Sequence, residues 1–212
     1  MKRTKYGKPR DQQRSRVYDA ENKINNKTKS NVGGRLETVA DVEQWVEKIR
    51  RSVWFRNRWP FIREIRIKDG RGTRNGFAWA SATTEPLFAR TEPGFDPLTN
   101  RYKTIGFLNL PVWSRSRLVI LHELAHIVTN SEYMASRGYK QTPVAGHGPE
   151  FCSVYLALVR RYLGEPFYLE LRENMRSRNV KIGRAPKPFP MNGREPLPDR
   201  EPYDDGSLLG LI

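Results

Sequence analysis

The chain has one cysteine, Cys152, and only three histidines in 212 residues. A single thiol cannot close an internal disulfide, and without a CxxC pair there is no zinc ribbon. The lone cysteine fits a reducing, cytoplasmic setting, and a small buried hydrophobe is the role expected of it. Long apolar runs are missing too. No stretch of about 18 apolar residues occurs, and the basic segment from Met1 to Arg16 has no apolar h-region, so neither a membrane helix nor a secretory signal is expected. Apolar residues make up 37% of the chain, little for a fully globular protein, which predicts an appreciable share in solvated arms and loops. Acidic residues are also in deficit. Against 38 Lys and Arg stand 23 Asp and Glu, a net charge of +15, which favours nucleic acid as a partner through a basic surface and gives no membrane partner. The basic residues are scattered and form no DNA-binding motif.

Scarcity makes the placement of the histidines informative. His122 and His126 stand in Leu121-His122-Glu123-Leu124-Ala125-His126-Ile127-Val128. Four positions apart on a helix, their imidazoles project from one face within reach of a single ion. Glu123, beside the first, is too close to ligate comfortably but is placed to take a proton from a water on that ion. Leu118, Leu121, Leu124, Ala125 and Val128 make this a core helix, opened by Pro111 and Ser114 and ended by Thr129-Asn130-Ser131. The third histidine, His147, lies in Gly146-His147-Gly148-Pro149-Glu150-Phe151, where Pro149 suits the first turn of a further helix. Spacing leaves two candidates for a third ligand, His147 or, in the gluzincin arrangement, Glu150. His147 is preferred, because imidazole is an excellent zinc ligand and flanking glycines allow close approach. Glu150 would then orient a ligand histidine through its free ring nitrogen. The longer metzincin pattern is disfavoured, since Thr129 and Glu132 occupy its glycine and histidine positions.

Elsewhere the chain alternates helical and strand periods. Residues 1–10 read as a flexible basic arm, Arg10 to Glu21 as a short polar helix and Asn22 to Gly34 as a loop. Val39, Val42, Val46, Ile49 and Val53 repeat at three and four, giving a helix capped by Thr38 or Asp41 and bounded by Pro60. Arg63 to Lys68 alternates with Ile65 and Ile67 on one face. The turn formers of Asp69 to Gly76 lead into Phe77 to Ala80, which predicts a hairpin with a mobile basic tip. Thr84 to Asn100 reads as a surface loop and Thr104 to Leu110 as another strand. The loop holding Tyr133, Arg137, Gly138 and Tyr139 is expected to border a cleft. Phe151, Val154, Tyr155, Leu158 and Tyr162 face inward on a helix ending at Gly164, and Phe167, Leu171 and Met175 do so on one from Pro166 to Arg178. Lys181 to Ile212, rich in proline and basic residues, reads as a disordered tail. The expected organisation is thus an arm (1–10), one domain (11–180) and a tail (181–212). Its class is α+β, a small antiparallel or mixed sheet packed on the HExxH helix and several further helices.

The run His122-Glu123-Leu124-Ala125-His126, followed by His147-Gly148-Pro149-Glu150-Phe151, resembles the SprT-like (Spartan-type) zinc metallopeptidases, in which a third histidine opens an HGxxF or HGxxW segment. More closely it is similar to a small family of HExxH metallohydrolases from actinobacteria and their phages. Those proteins share a segment like Arg10 to Glu21 and the run Phe151-Cys152-Ser153-Val154-Tyr155-Leu156. The resemblance, over about Asp11 to Val180, implies a zincin-like fold, zinc on His122, His126 and His147, Glu123 as general base and a protein or peptide substrate. It departs from many SprT-like proteins in having no C-terminal zinc ribbon and no recognisable DNA-binding module. A second electrophile is expected from Tyr133, Tyr139, Tyr155 or an arginine. Two other readings stand beside it. One is a zinc hydrolase of a non-peptide bond, and the other a non-catalytic, basic nucleic-acid-binding protein with a structural zinc. An intact Glu123 weighs against the latter, since a structural site needs no base and usually has four protein ligands.

Overall fold

In the computed structural model, which describes residues 11–28, 33–70, 78–86, 102–136 and 145–184, the strand with the most apolar sequence takes the middle of the sheet. Ile62–Asp69 (β1) and Trp79–Pro86 (β2) flank Tyr102–Leu110 (β3), with β1 parallel to β3 and β2 antiparallel to it. The hairpin expected between β1 and β2 is therefore overturned, because β3 is inserted between them. Burial supplies the reason. Ile105, Leu108 and Leu110 bring buried apolar side chains to both faces of β3, whereas β1 exposes Arg63, Arg66 and Lys68 and can afford only one covered face. Ile65 pairs with Gly106 and Ile67 with Leu108, so the half-buried isoleucines share the core face. On the other face Arg66 and Lys68 lie over the Phe107 ring. Thr84 to Pro86 belongs to β2 rather than to a loop.

Six helices among the described residues complete an α+β fold: Arg14–Thr28 (α1), Val39–Arg51 (α2), Val53–Arg58 (α3), Arg117–Ser136 (α4), Pro149–Tyr162 (α5) and Glu165–Arg176 (α6). Of the two expected caps of α2, Thr38 takes the N-cap and Asp41 completes a capping box, with the Thr38 hydroxyl accepting from Asp41 N and Asp41 accepting from Thr38 N. It stops at Arg51, where Ser52 turns extended and caps α3 through Phe55 N. Two helices outrun their expected ends. α1 continues through Thr28, across a segment read as loop, because Val17, Ala20 and Ile24 are fully buried at helical spacing. α4 passes Thr129 because that hydroxyl bonds back to Ala125 O at 2.7 Å within the helix and so does not cap its end.

The helix α4 is the spine of the domain. It packs on β2, β3 and α5, and from Ile120 to Thr129 every residue except His126 is buried, so the apolar face read from the sequence is only part of a helix covered nearly all round. Close approach to the sheet depends on Gly106. A Cβ there would lie 2.7 and 2.8 Å from the Ile127 side chain. The start of α4 is fixed by a buried arginine. Arg115 bonds Leu110 O at the end of β3, Glu37 O before α2 and the Asp69 carboxylate (2.9 Å) at the end of β1, while Ser116 accepts from Val119 N. Between α5 and α6 the chain reverses at Gly164, whose φ of +94° favours glycine.

The segment after α6 is packed as far as it is described. Lys181 exchanges two 3.0 Å hydrogen bonds with the Gln13 side chain, and Gly183 N donates to Pro149 O. The expected tail thus begins no earlier than residue 185. The basic arm (1–10), the hairpin tip (71–77), most of the proline-rich loop (87–100), the loop 137–144 with Arg137, Gly138 and Tyr139, the Tyr133 side chain and residues 185–212 lie outside the described residues. No described helix is long and apolar enough to cross a membrane.

Candidate metal centre

Helical spacing on α4 and the tight turn before α5 bring the three histidines together. His122 and His126 project from successive turns of α4, and His147 stands one residue ahead of Gly148, the N-cap of α5. That turn is closed by Gly148 N donating to Ala145 O. One nitrogen from each of His122, His126 and His147 falls within a group spanning 4.8 Å, close enough to bind one metal ion. His122 and His147 are buried, and His126 keeps partial access to solvent.

The outer nitrogens explain why the inner ones converge. His122 Nδ1 meets Glu21 Oε2 at 2.9 Å, and His147 Nδ1 meets Asp11 Oδ2 at 2.6 Å. Burial, and after it the charges of His147 and Arg14, holds the His122 imidazole down to about 3 against the opposing charge of Asp11. Burial also drives His126 well below its usual value. The His122 ring is therefore neutral, with Nδ1 against the Glu21 carboxyl, itself pushed up to about 8 by burial, and Nε2 turned inward. Asp11, against His147 Nδ1, has its carboxyl raised by burial but, more strongly in sum, lowered by the bond and charge of His147. The two Nε2 atoms then face each other at 3.2 Å. Two nitrogens on a tetrahedral zinc at about 2.0–2.1 Å are separated by about 3.3 Å, so the His122–His147 pair is spaced as two ligands of one such ion.

Aromatic rings fix the imidazoles in place. Phe151 stacks on His126 (4.3 Å, 28°) and meets His122 and His147 edge-on, and Tyr155 meets His122 at 5.3 Å. From α1, Tyr18 stacks on His122 at 5.3 Å and 15°. The Gln13 amide holds the His147 backbone through a 2.8 Å bond to its carbonyl. Glu123 is 5% exposed on α4. Burial first, then the charge of Glu21, lifts its carboxyl to about 8, a value at which it takes up a proton near neutral pH.

The sequence reading placed the orienting carboxylate on Glu150. That expectation is overturned, since Glu150 is exposed and outside the histidine group, and the work falls to Asp11 and Glu21. A signal for them exists: Asp11, Arg14, Tyr18 and Glu21 are spaced by three, four and three, one face of a helix. Cys152 is buried, as expected, and burial pushes its thiol up to about 12. Comparison with protein-family models, with curated proteins and with solved structures gives no match to this chain.

Proposed function

We propose that the chain is a zinc-dependent hydrolase of the SprT-like, zincin type, cleaving amide bonds in protein or peptide substrates. The observation that carries this reading is the convergence of His122, His126 and His147 beside the buried carboxylate of Glu123. An all-imidazole donor set suits zinc, and three protein ligands in place of four leave room for water or substrate, as catalytic sites require and structural ones do not. When bound, zinc would supply Lewis acidity, bringing the pKa of a coordinated water towards neutrality and polarising the scissile carbonyl. The residues of the chain do the rest. Glu123 accepts the proton that the attacking water gives up and returns it to the departing amine nitrogen. Asp11 and Glu21 keep His147 and His122 in the tautomer that turns Nε2 inward. Phe151 and Tyr155 exclude water from the inner side of the rings. The net charge of +15 favours protein substrates that are themselves bound to nucleic acid.

The test combines metal content with cleavage. Protein purified without chelator should carry about one zinc per chain, and Glu123→Gln should keep it while losing hydrolysis by roughly 10²–10⁴-fold. Wild type and Glu123→Gln are incubated with basic DNA-binding proteins, with and without single- and double-stranded DNA. Fragments from the wild type alone, increased by DNA, are the expected result. Zinc-loaded wild type that cuts none of these proteins would remove the peptidase reading.

A further inference from the structure

Amide hydrolysis makes a demand that Glu123 and the ligand histidines do not meet. The carbonyl oxygen gains charge as its carbon becomes tetrahedral, and a fixed donor aimed at it lowers the barrier. Phe151 has no donor to give. Tyr155 is fully buried beside His122, with its hydroxyl engaged by Leu118 O and Glu21. Tyr18 differs in each respect. Its ring lies against both buried ligands, 5.3 Å from His122 and 5.1 Å from His147, yet the residue is only half-buried. Its hydroxyl lies in the field of Glu123, the group that handles the proton, and of Arg14, whose guanidinium stands 5.6 Å from the ring centroid. The phenol proton of Tyr18 can be offered to a group at the histidines, beside which its ring lies.

Resting on the amide-hydrolase reading, we propose that Tyr18, with the Arg14 guanidinium beside its ring, donates a hydrogen bond to the oxyanion of the tetrahedral species and is a catalytic residue. As the water oxygen bonds to the carbonyl carbon, the C=O π pair moves to oxygen and the water proton goes to Glu123. The C=O then re-forms, the C–N bond breaks and the nitrogen takes the proton from Glu123. Tyr18 gives a hydrogen bond throughout, keeps its proton and ends the cycle unchanged. Two groups of one α1 face thus act at the reacting atoms or immediately behind them, while Asp11 and Glu21 act through the ligands.

The experiment uses the zinc-loaded full chain and an N-acetyl dipeptide phosphonate, whose tetrahedral anion stands in for the oxyanion. Tyr18→Phe keeps the ring on His122 and His147 and removes only the hydroxyl. Calorimetry should show unchanged zinc affinity and phosphonate binding about 10–100-fold weaker than wild type, with Arg14→Gln losing about 3–10-fold. On any protein that the wild type cuts, Tyr18→Phe should lower kcat far more than it raises KM. Equal phosphonate binding by wild type and Tyr18→Phe, or binding by neither, overturns the assignment while leaving the zinc site standing. A Tyr18→Phe protein that loses zinc makes the tyrosine a ligand or structural prop and overturns it too. Wild type that binds no zinc removes this proposal together with the function on which it rests.

Discussion

Glu21 is a buried carboxylate that helps the site when a cation is present and burdens the fold when none is, and pH separates the two conditions. Burial raises its carboxyl from 4.5 to about 8, despite the opposing charge of His147 and the Tyr155 hydroxyl bond. Glu123 is raised to about 8 as well, by burial and by Glu21. In metal-free protein between about pH 4.5 and pH 8 the folded state therefore holds protons that the unfolded chain has released, so stability is fullest below that window and falls as pH rises through it. At roughly 1.4 kcal/mol per pH unit, raising Glu21 from 4.5 to about 8 removes about 5 kcal/mol by pH 8. That is comparable with the whole stability of a small domain, about 5–15 kcal/mol. Glu21→Gln keeps the shape, has no proton to lose, and also relieves Glu123 of a neighbouring charge. Urea unfolding of chelator-treated protein from about pH 5 to about pH 9 should show the wild type losing several kcal/mol and Glu21→Gln losing less than half as much. Zinc should flatten the wild-type profile, since the cation favours both carboxylates ionised, and Glu21→Gln should bind zinc about 10–100-fold more weakly. A metal-free wild type with no more pH dependence than Glu21→Gln would refute the reasoning.

Three further outcomes follow from the same geometry. Asp11→Asn should weaken zinc binding by about 10–100-fold in a competitive chelator titration, because the amide accepts from His147 Nδ1 without the charge that strengthens the bond. His147→Ala should cost far more zinc affinity than Glu150→Ala, which removes an exposed carboxylate outside the histidine group; the reverse order, read in the same titration, would transfer the third ligand to Glu150. Gly106→Ala should lower stability by about 1–3 kcal/mol in urea unfolding, since its Cβ would meet Ile127 at 2.7 Å, and Ile127→Val in the same chain should recover part of the loss.

What the sequence displayed well were features with a local physical cause. The three-and-four repeat of Val42, Val46 and Ile49 made α2, and the Thr38–Asp41 pair made its cap. Pro149 opened α5, and His122 and His126 fell on one face of α4. Strand order was not legible, because it turns on which strand has two faces to bury. That is a comparison between β3 and β1 across the sheet, with no trace in either strand's own alternation. The length of α1 was hidden for a related reason. Its buried stripe is short, Val17, Ala20 and Ile24, and the neighbouring face carries Arg14, Tyr18 and Glu21, with Asp11 just ahead of the helix, all of which a search for apolar periodicity counts as solvated.

That same face is where the site was least legible. A carboxylate that orients a ligand histidine is polar, buried and remote in sequence, and each property hides it: polarity suggests surface, and remoteness removes the spacing that betrayed His126. Yet the polar residues of α1 obey the helical period as strictly as the apolar ones, and Gln13, between them, ties the helix to both His147 O and Lys181 O. A helix with an apolar stripe beside a periodic polar stripe that mixes carboxylate, phenol and guanidinium has two interiors to face. One is the hydrophobic core. The other is a pocket where charge must be matched by charge, and the inward Nε2 atoms of His122 and His147, 3.2 Å apart, are what the carboxylates of that second face hold in position.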